Sequence, residues 1–220
     1  MDIGTLAQAL SRLTPENMSV SSGFINDFQT PLKMDEFALS ENASRGRKAE
    51  FVAGRNCLRK AITAFYDKTF TIGRSEDGKP ILPPGVVGSL SHKYPFVVSI
   101  AASNNEYCSL GVDIETIDNW SEKPSPVFVN SSDLALHEHI DAPFNEYCSI
   151  LFSAKESAYK ALKHAKSDTS LNIRNISPGL RQLAKDTYEY SVLNGDIICH
   201  GRLLLTRPWV IAACWITHNV

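Results

Sequence analysis

An α+β fold built from two similar halves is what this sequence predicts, and three observations carry the prediction. Stretches of helical period alternate with stretches of strand period along the 220 residues. The segment FVAGRNCLR (51–59) is echoed by FSAKESAYK (152–160), with Phe51 over Phe152, Arg55 over Glu156 and Arg59 over Lys160. The segment PFVVSIA (95–101) is echoed by PWVIAAC (208–214). Both pairs recur about one hundred residues apart, in the same order, helix and then strand. The expectation is a pseudo-twofold pair of α+β halves, 1–105 and 106–220, facing each other across a cleft. One half would be basic where the other is acidic.

Each element has its own signal. Residues 1–40 read as mixed, with TPENMSVSSGFINDFQTPL supplying turns and short strands. Ser40 is the expected cap of a helix over 41–66. Gly and Pro punctuate GRSEDGKPILPPG (73–85) as a loop. The run from Val86 to Ala102, broken at HKYP, reads as a hairpin with Ser91 and His92 at its turn, and YCSLGVDIETI reads as a further strand. DNWSEKPSPVFVNSSD is a Pro- and Ser-rich connector. Helices are expected near 131–141 and 145–165. A strand meander from Tyr188 to Ile216 follows, turning at LNGD and breaking at TRP.

Composition narrows the function. Hydrophobic content of 43% with 21% charged residues fits a soluble globular protein. The five cysteines are scattered and form no C-x-x-C pair, which argues against a disulfide framework or a zinc site and suits a reducing cytoplasm. MDIGTLAQALSRL lacks the basic start and long apolar run of a signal peptide, and WVIAACWI is too short to span a bilayer. A pI near 6.3 argues against a nucleic-acid surface.

The distribution of charge says more. From Ser44 to Lys60 there are six basic side chains against one acid, Glu50. On a helix, Lys48, Arg55 and Arg59 line one edge of the stripe made by Phe51, Leu58, Ile62 and Phe65. Such a row is either a solvated face over the core or a set of cations suited to phosphate. In a strand, Asp113 and Glu115 project to one side with Ile114 turned to the core. Paired bare carboxylates repel, so they serve either solubility at an edge or a hard cation such as Mg²⁺. Glu156 and Lys160, spaced i, i+4, have plain readings too. Ser153 and Glu156 spell a capping box, and Glu156 with Lys160 spells an ordinary helix ion pair. What shifts the balance is the set: three carboxylates, a lysine pair, a basic helix and SLSH in one short chain.

RKAEFVAGR (47–55), GKP (78–80), SLSH (89–92), GVDIE (111–115) and FSAKESAYKA (152–161) together resemble the 4′-phosphopantetheinyl transferase superfamily, in its enterobactin-synthase-component-D-like, Sfp-type subgroup. The resemblance implies transfer of 4′-phosphopantetheine from coenzyme A (CoA) to a serine of an apo carrier protein, with release of 3′,5′-ADP. It implies Mg²⁺, with Mn²⁺ open, held on the CoA pyrophosphate by Asp113, Glu115 and Glu156. Lys155 and Lys160 would meet the remaining phosphate charge. Arg47, Arg55, Arg59 and Lys79 would bind the nucleotide end, with a structural role for Arg59 as a second reading, and Ser91 and His92 the 3′-phosphate. Glu156, or a water it holds, would take the serine proton, and Lys160 would stabilise or protonate the leaving phosphate. Lys93 would add a cation to the phosphate loop.

On this reading the protein is a monomer, and the carrier docks beside the cleft against the second half and its 118–147 connector. The subgroup points to a peptidyl or aryl carrier domain of a nonribosomal peptide synthetase, in siderophore biosynthesis, with fatty-acid and polyketide carriers open. Two rivals stand beside it. One is another Mg²⁺-dependent phosphate-transfer or phosphodiesterase enzyme, because D-x-E plus a distant Glu fits that chemistry as well. The other is a non-catalytic nucleotide-binding protein.

Overall fold

The chain opens with a helix, which the reading of 1–40 as mixed, with turns and short strands, does not contain. In α1 (Ile3–Leu13) the Asp2 carboxylate accepts the Thr5 amide at 2.9 Å, and Leu6, Ala9, Leu10 and Leu13 form one buried stripe at helical spacing. A computed structural model describes residues 2–76, 78–117, 127–165 and 171–218. After α1 come β1 (Ser19–Phe24), a 3₁₀ turn at Ile25–Phe28 and a short helix, α2 (Met34–Ala38).

The basic helix, α3, runs from Arg45 to Ile62. It starts later than its expected position because Ala43 N–H already closes a turn on the Ser40 carbonyl, leaving the Ser44 hydroxyl to accept the Arg47 amide as the cap. Ala53, Cys57, Leu58, Ala61 and Ile62 bury one face. A two-stranded ribbon, β2 (Gly73–Arg74) with β3 (Pro80–Ile81), replaces the expected loop. The hairpin of β4 (Val86–Lys93) and β5 (Phe96–Ser103) turns at Tyr94 and Pro95. Ser91 and His92 therefore lie inside β4, opposite Val98 and Val97, and not at the turn.

The second half of the chain begins with β6 (Tyr107–Thr116). It continues through α4 (Ser131–His137), the long α5 (Phe144–Ala165) and the meander β7 (Gly179–Ala184), β8 (Thr187–Asn194), β9 (Ile197–Thr206) and β10 (Trp209–Thr217). All strand pairs are antiparallel. One sheet has the order β1-β5-β4 and the other β6-β10-β9-β8-β7. The two echoed helix segments fall in α3 and α5, and the two echoed strand segments start at the turns before β5 and β10. Among the described residues no helix is long and apolar enough to cross a membrane.

Two contacts position the site. Helix α5 lies very close to β6, because a Cβ at Gly111 would stand 1.9 Å from the Ser157 carbonyl oxygen. Only glycine permits that approach, and Ala154, Ala158 and Ala161 keep the buried face of α5 small. The α1 stripe, meanwhile, shares one buried cluster with Val98 and Ile100 of β5, Leu110, Val112 and Ile114 of β6, and Ile211 and Ala213 of β10.

Candidate active site

Asp113 is the centre of the polar geometry. Ile114 turns into the core, so Asp113 and Glu115 share the other face of β6, as the strand alternation requires. Asp113 is only 2% exposed, yet both of its oxygens are engaged. Oδ1 accepts from Ser91 Oγ at 3.0 Å and from Lys160 Nζ at 2.9 Å, and Oδ2 accepts from Ser153 Oγ at 2.9 Å. Lys160 Nζ also donates to the Val112 carbonyl at 3.0 Å and to Ser91 Oγ at 3.1 Å. A buried carboxylate is thus met by one ammonium and two hydroxyls. Glu115 takes Lys93 Nζ at 2.6 Å.

Glu156 completes an acidic trio. Burial pushes its pKa up, Lys160 opposes that rise, and the charges of Asp113 and Glu115 add to it. The Glu115 pKa is also raised, first by burial, with the Lys93 hydrogen bond working against it. Among the described residues no three His, Cys, Asp or Glu side chains stand ready-made around a metal position. The chemistry of the donors fits a hard divalent cation all the same. Three carboxylates face two ammonium groups, and Lys93 and Lys160 occupy the oxygen lone pairs that such an ion would need.

Beside this trio is a cavity of about 510 Å³ with cations on its walls. From α3 come Arg47 and Arg55, from the ribbon Arg74 and Lys79, from β4 His92, and from α5 Lys160 and Lys163. Arg55 is 4% exposed, donates through Nη2 to the Gly73 carbonyl at 3.0 Å and lies 4.8 Å from the centre of the Phe51 ring. Among the described residues its Nε has no hydrogen-bond partner, and burial lowers its pKa to about 10. A buried cation with an unsatisfied donor costs free energy that an anionic ligand would offset. His92 Nδ1 lies 3.9 Å from Glu50 Oε2, which also accepts from Arg47 Nη1 at 2.9 Å. Burial lowers the His92 pKa, and the Glu50 charge works against it.

A family model described as the 4′-phosphopantetheinyl transferase N-terminal domain matches residues 35–102, and one described as the 4′-phosphopantetheinyl transferase superfamily matches 109–214. The chain belongs to the 4′-phosphopantetheinyl transferase superfamily. Within it, the chain is 33% identical over 123 residues to 4′-phosphopantetheinyl transferase Npt of Nocardia iowensis, covering 52% of this chain and 51% of that protein. It is 30% identical over 146 residues to enterobactin synthase component D of Salmonella typhi, covering 62% and 60%. It is 30% identical over 137 residues to 4′-phosphopantetheinyl transferase PptT of Mycobacterium tuberculosis, covering 60% and 58%. The chain thus spans about half to three fifths of the length of the curated relatives it matches.

The superfamily motifs converge, but not every residue in them reaches the cavity. Arg47, Arg55, Lys79, His92 and Lys160 line it. Asp113, Glu115 and Glu156 gather beside it. Ser91 is not among the lining residues: its hydroxyl turns to Asp113, on the strand face opposite His92. Lys155 also lies away from the cavity lining. It is fully buried, and its Nζ donates to Asp133 Oδ2 at 2.6 Å and to the Phe128 carbonyl at 2.7 Å. Arg59 is paired with the buried Glu36 and donates to Asn56 Oδ1 at 2.8 Å, off the cavity lining. Neither plain reading of Glu156 holds. Ser153 lies more than two turns inside α5, so it caps nothing, and Lys160 pairs with Asp113.

Lys93, expected in the phosphate loop, is instead on Glu115. Part of the proposed docking connector, 118–126, lies outside the described residues. The sequence reading missed Glu50, Arg74, Lys163 and Asp133. Glu50 could have been found from its i, i+3 spacing to Arg47. Arg74 comes beside Lys79 only through the ribbon register, in which it faces Pro80.

Proposed function

We propose that the protein transfers the 4′-phosphopantetheine group of CoA to a serine of an apo carrier protein and releases 3′,5′-ADP. It would act as a monomer of two pseudo-twofold halves, 1–105 and 106–220, with CoA in the cleft between them. One observation carries the reading. The Lys160 ammonium both lines the cationic cavity and sits on Asp113, so a ligand phosphate in the cavity and the acidic trio share one cation.

The side chains divide the work by position. Arg47, Arg55, Lys79 and His92 hold the nucleotide and its phosphates. Asp113, Glu115 and Glu156 would hold Mg²⁺, or Mn²⁺, which when bound offsets charge on a phosphoryl oxygen. The carrier serine Oγ attacks the phosphorus that bears the pantetheine arm. A new P–O bond forms as the bond from that phosphorus to the bridging pyrophosphate oxygen breaks, and 3′,5′-ADP departs beside Lys160. The serine proton would pass to the Glu156 carboxylate or to a water that it holds. The names of relatives such as enterobactin synthase component D favour a peptidyl or aryl carrier domain of siderophore assembly as the partner. Docking would fall against the second half and its 118–147 connector.

Intact-mass spectrometry of an apo peptidyl carrier domain, incubated with the protein, CoA and Mg²⁺, tests this directly. The expected result is a gain of one phosphopantetheine, lost with EDTA and in Asp113→Ala. Release of 3′,5′-ADP without a modified carrier would favour a phosphodiesterase instead. An unmodified carrier together with no CoA binding would remove the transferase reading altogether.

A further inference from the structure

The cationic cavity has an anion behind its wall. Glu36, on the five-residue helix α2, is fully buried, with 0% of its surface exposed. Its Oε1 takes the Arg59 guanidinium and the Ile72 backbone amide, the latter at 2.6 Å, and its Oε2 takes the Lys33 amide at 3.3 Å. A carboxylate this deep is held by charge-assisted bonds on every side. What those bonds connect is the point. Arg59 belongs to α3, one turn beyond Arg55, and Ile72 opens the ribbon that carries Arg74 and Lys79. Arg55 adds a second tie between the same two pieces through its bond to the Gly73 carbonyl. Just after α2, Leu39 and Ser40 form another part of the cavity wall.

We propose that Glu36 is a positioning residue for the CoA site: it clamps α2, α3 and the 72–81 ribbon together and so sets the spacing of Arg55, Arg74 and Lys79. The inference rests on the CoA reading given above. Glu36 is not among the residues lining the cavity, so it acts through the groups it holds. Without its charge, Arg59 loses its buried partner and the Ile72 amide keeps only a neutral acceptor. The ribbon buries little of its own: Arg74 and Ile81 are exposed, and Ile72 is its main anchor in the cluster with Leu58, Ile62 and Val86. A loosened ribbon would move its cations while leaving the acidic trio on β6 and α5 untouched.

The test is Glu36→Gln in the full chain, read by amide hydrogen exchange without ligand and by steady-state kinetics. Exchange is expected to quicken across residues 70–81 while that of α5 and β10 stays unchanged. The KM for CoA is expected to rise about tenfold, equivalent to about 1.4 kcal/mol, and by more than kcat falls. Unchanged exchange at 70–81 overturns the proposal. So does faster exchange throughout the molecule with an unaltered KM for CoA, which is the pattern of a residue needed only for stability. If the wild-type protein binds no CoA, the transferase reading fails. The exchange comparison in the ligand-free protein then still decides whether Glu36 clamps the ribbon.

Discussion

Lys155 and Lys160 stand five residues apart on α5 and do opposite things. At about 100° per residue they point about 140° apart around the helix axis. Lys155 is turned into the interior, where it joins Asp133, the Phe128 carbonyl and the segment leading into α4. Lys160 is turned to β6 and the cavity, where it holds Asp113. The same residue type in the same motif thus fastens a neighbouring helix in one place and lines the cationic cavity in the other. Helical phase decides which, and no property of the lysine itself does.

Replacing the two lysines by methionine breaks the comparison most directly. In Lys155→Met the Asp133 carboxylate is left buried without its cation, and a stability loss of about 3–5 kcal/mol is expected. Urea denaturation measures it, and CoA affinity of the folded fraction should stay near that of the wild type. A normal unfolding midpoint with weakened CoA binding would put Lys155 back in the ligand site. In Lys160→Met the larger consequence is for turnover, with kcat expected to fall about 100-fold, as for loss of one preorganised group that meets developing charge. Carrier modification followed by mass spectrometry reads this. A near-normal rate would separate the acidic trio from the cavity and undo the role given to Lys160.

A gentler change concerns His92. Burial depresses its pKa from 6.5, so between the folded value and 6.5 the unfolded chain binds the proton more readily. Its contribution to stability is therefore present above pH 6.5 and is lost as pH falls through the folded value. A phosphate beside the ring would pull the pKa back up, so CoA binding should take up a proton and tighten a few-fold from about pH 7.5 to about pH 6. Calorimetry in two buffers of different ionisation enthalpy detects that uptake, and His92→Asn should abolish it. Uptake that persists in the variant would place the proton elsewhere on the cavity wall.

Legibility in the sequence followed the range of the forces involved. The strand face shared by Asp113 and Glu115, the hairpin of β4 and β5 and the length of α5 rest on local period, and local period is written in the chain. The expected start of α3 lies four residues early because two serines four residues apart both cap well, and a turn on Ser40 decides between them. Helix α1 escaped notice although its stripe is plain, since leucines in a short N-terminal run acquire meaning only from the strands they cover. Lys155 misled for the same reason: its partner Asp133 lies 22 positions away, and nothing in the motif says that α4 will fold over it. Ion pairs between distant elements are settled by packing, and packing is the last thing a linear pattern reveals.

The cluster that α1 shares with β5, β6 and β10 also bears on how the molecule can move. Phe96 meets Trp209 edge to face with ring centres 5.0 Å apart, so an aromatic contact crosses from one half of the chain to the other. A hinge needs a thin waist where few atoms must part company, and here a continuous buried apolar cluster joins β5 to β6 and β10. Swinging β5 away from β10 would part the Phe96 and Trp209 rings and the cluster around them. The cavity is therefore cut to size when the protein folds, and what can still adjust sits on its rim: the ribbon, the long lysines and the arginines.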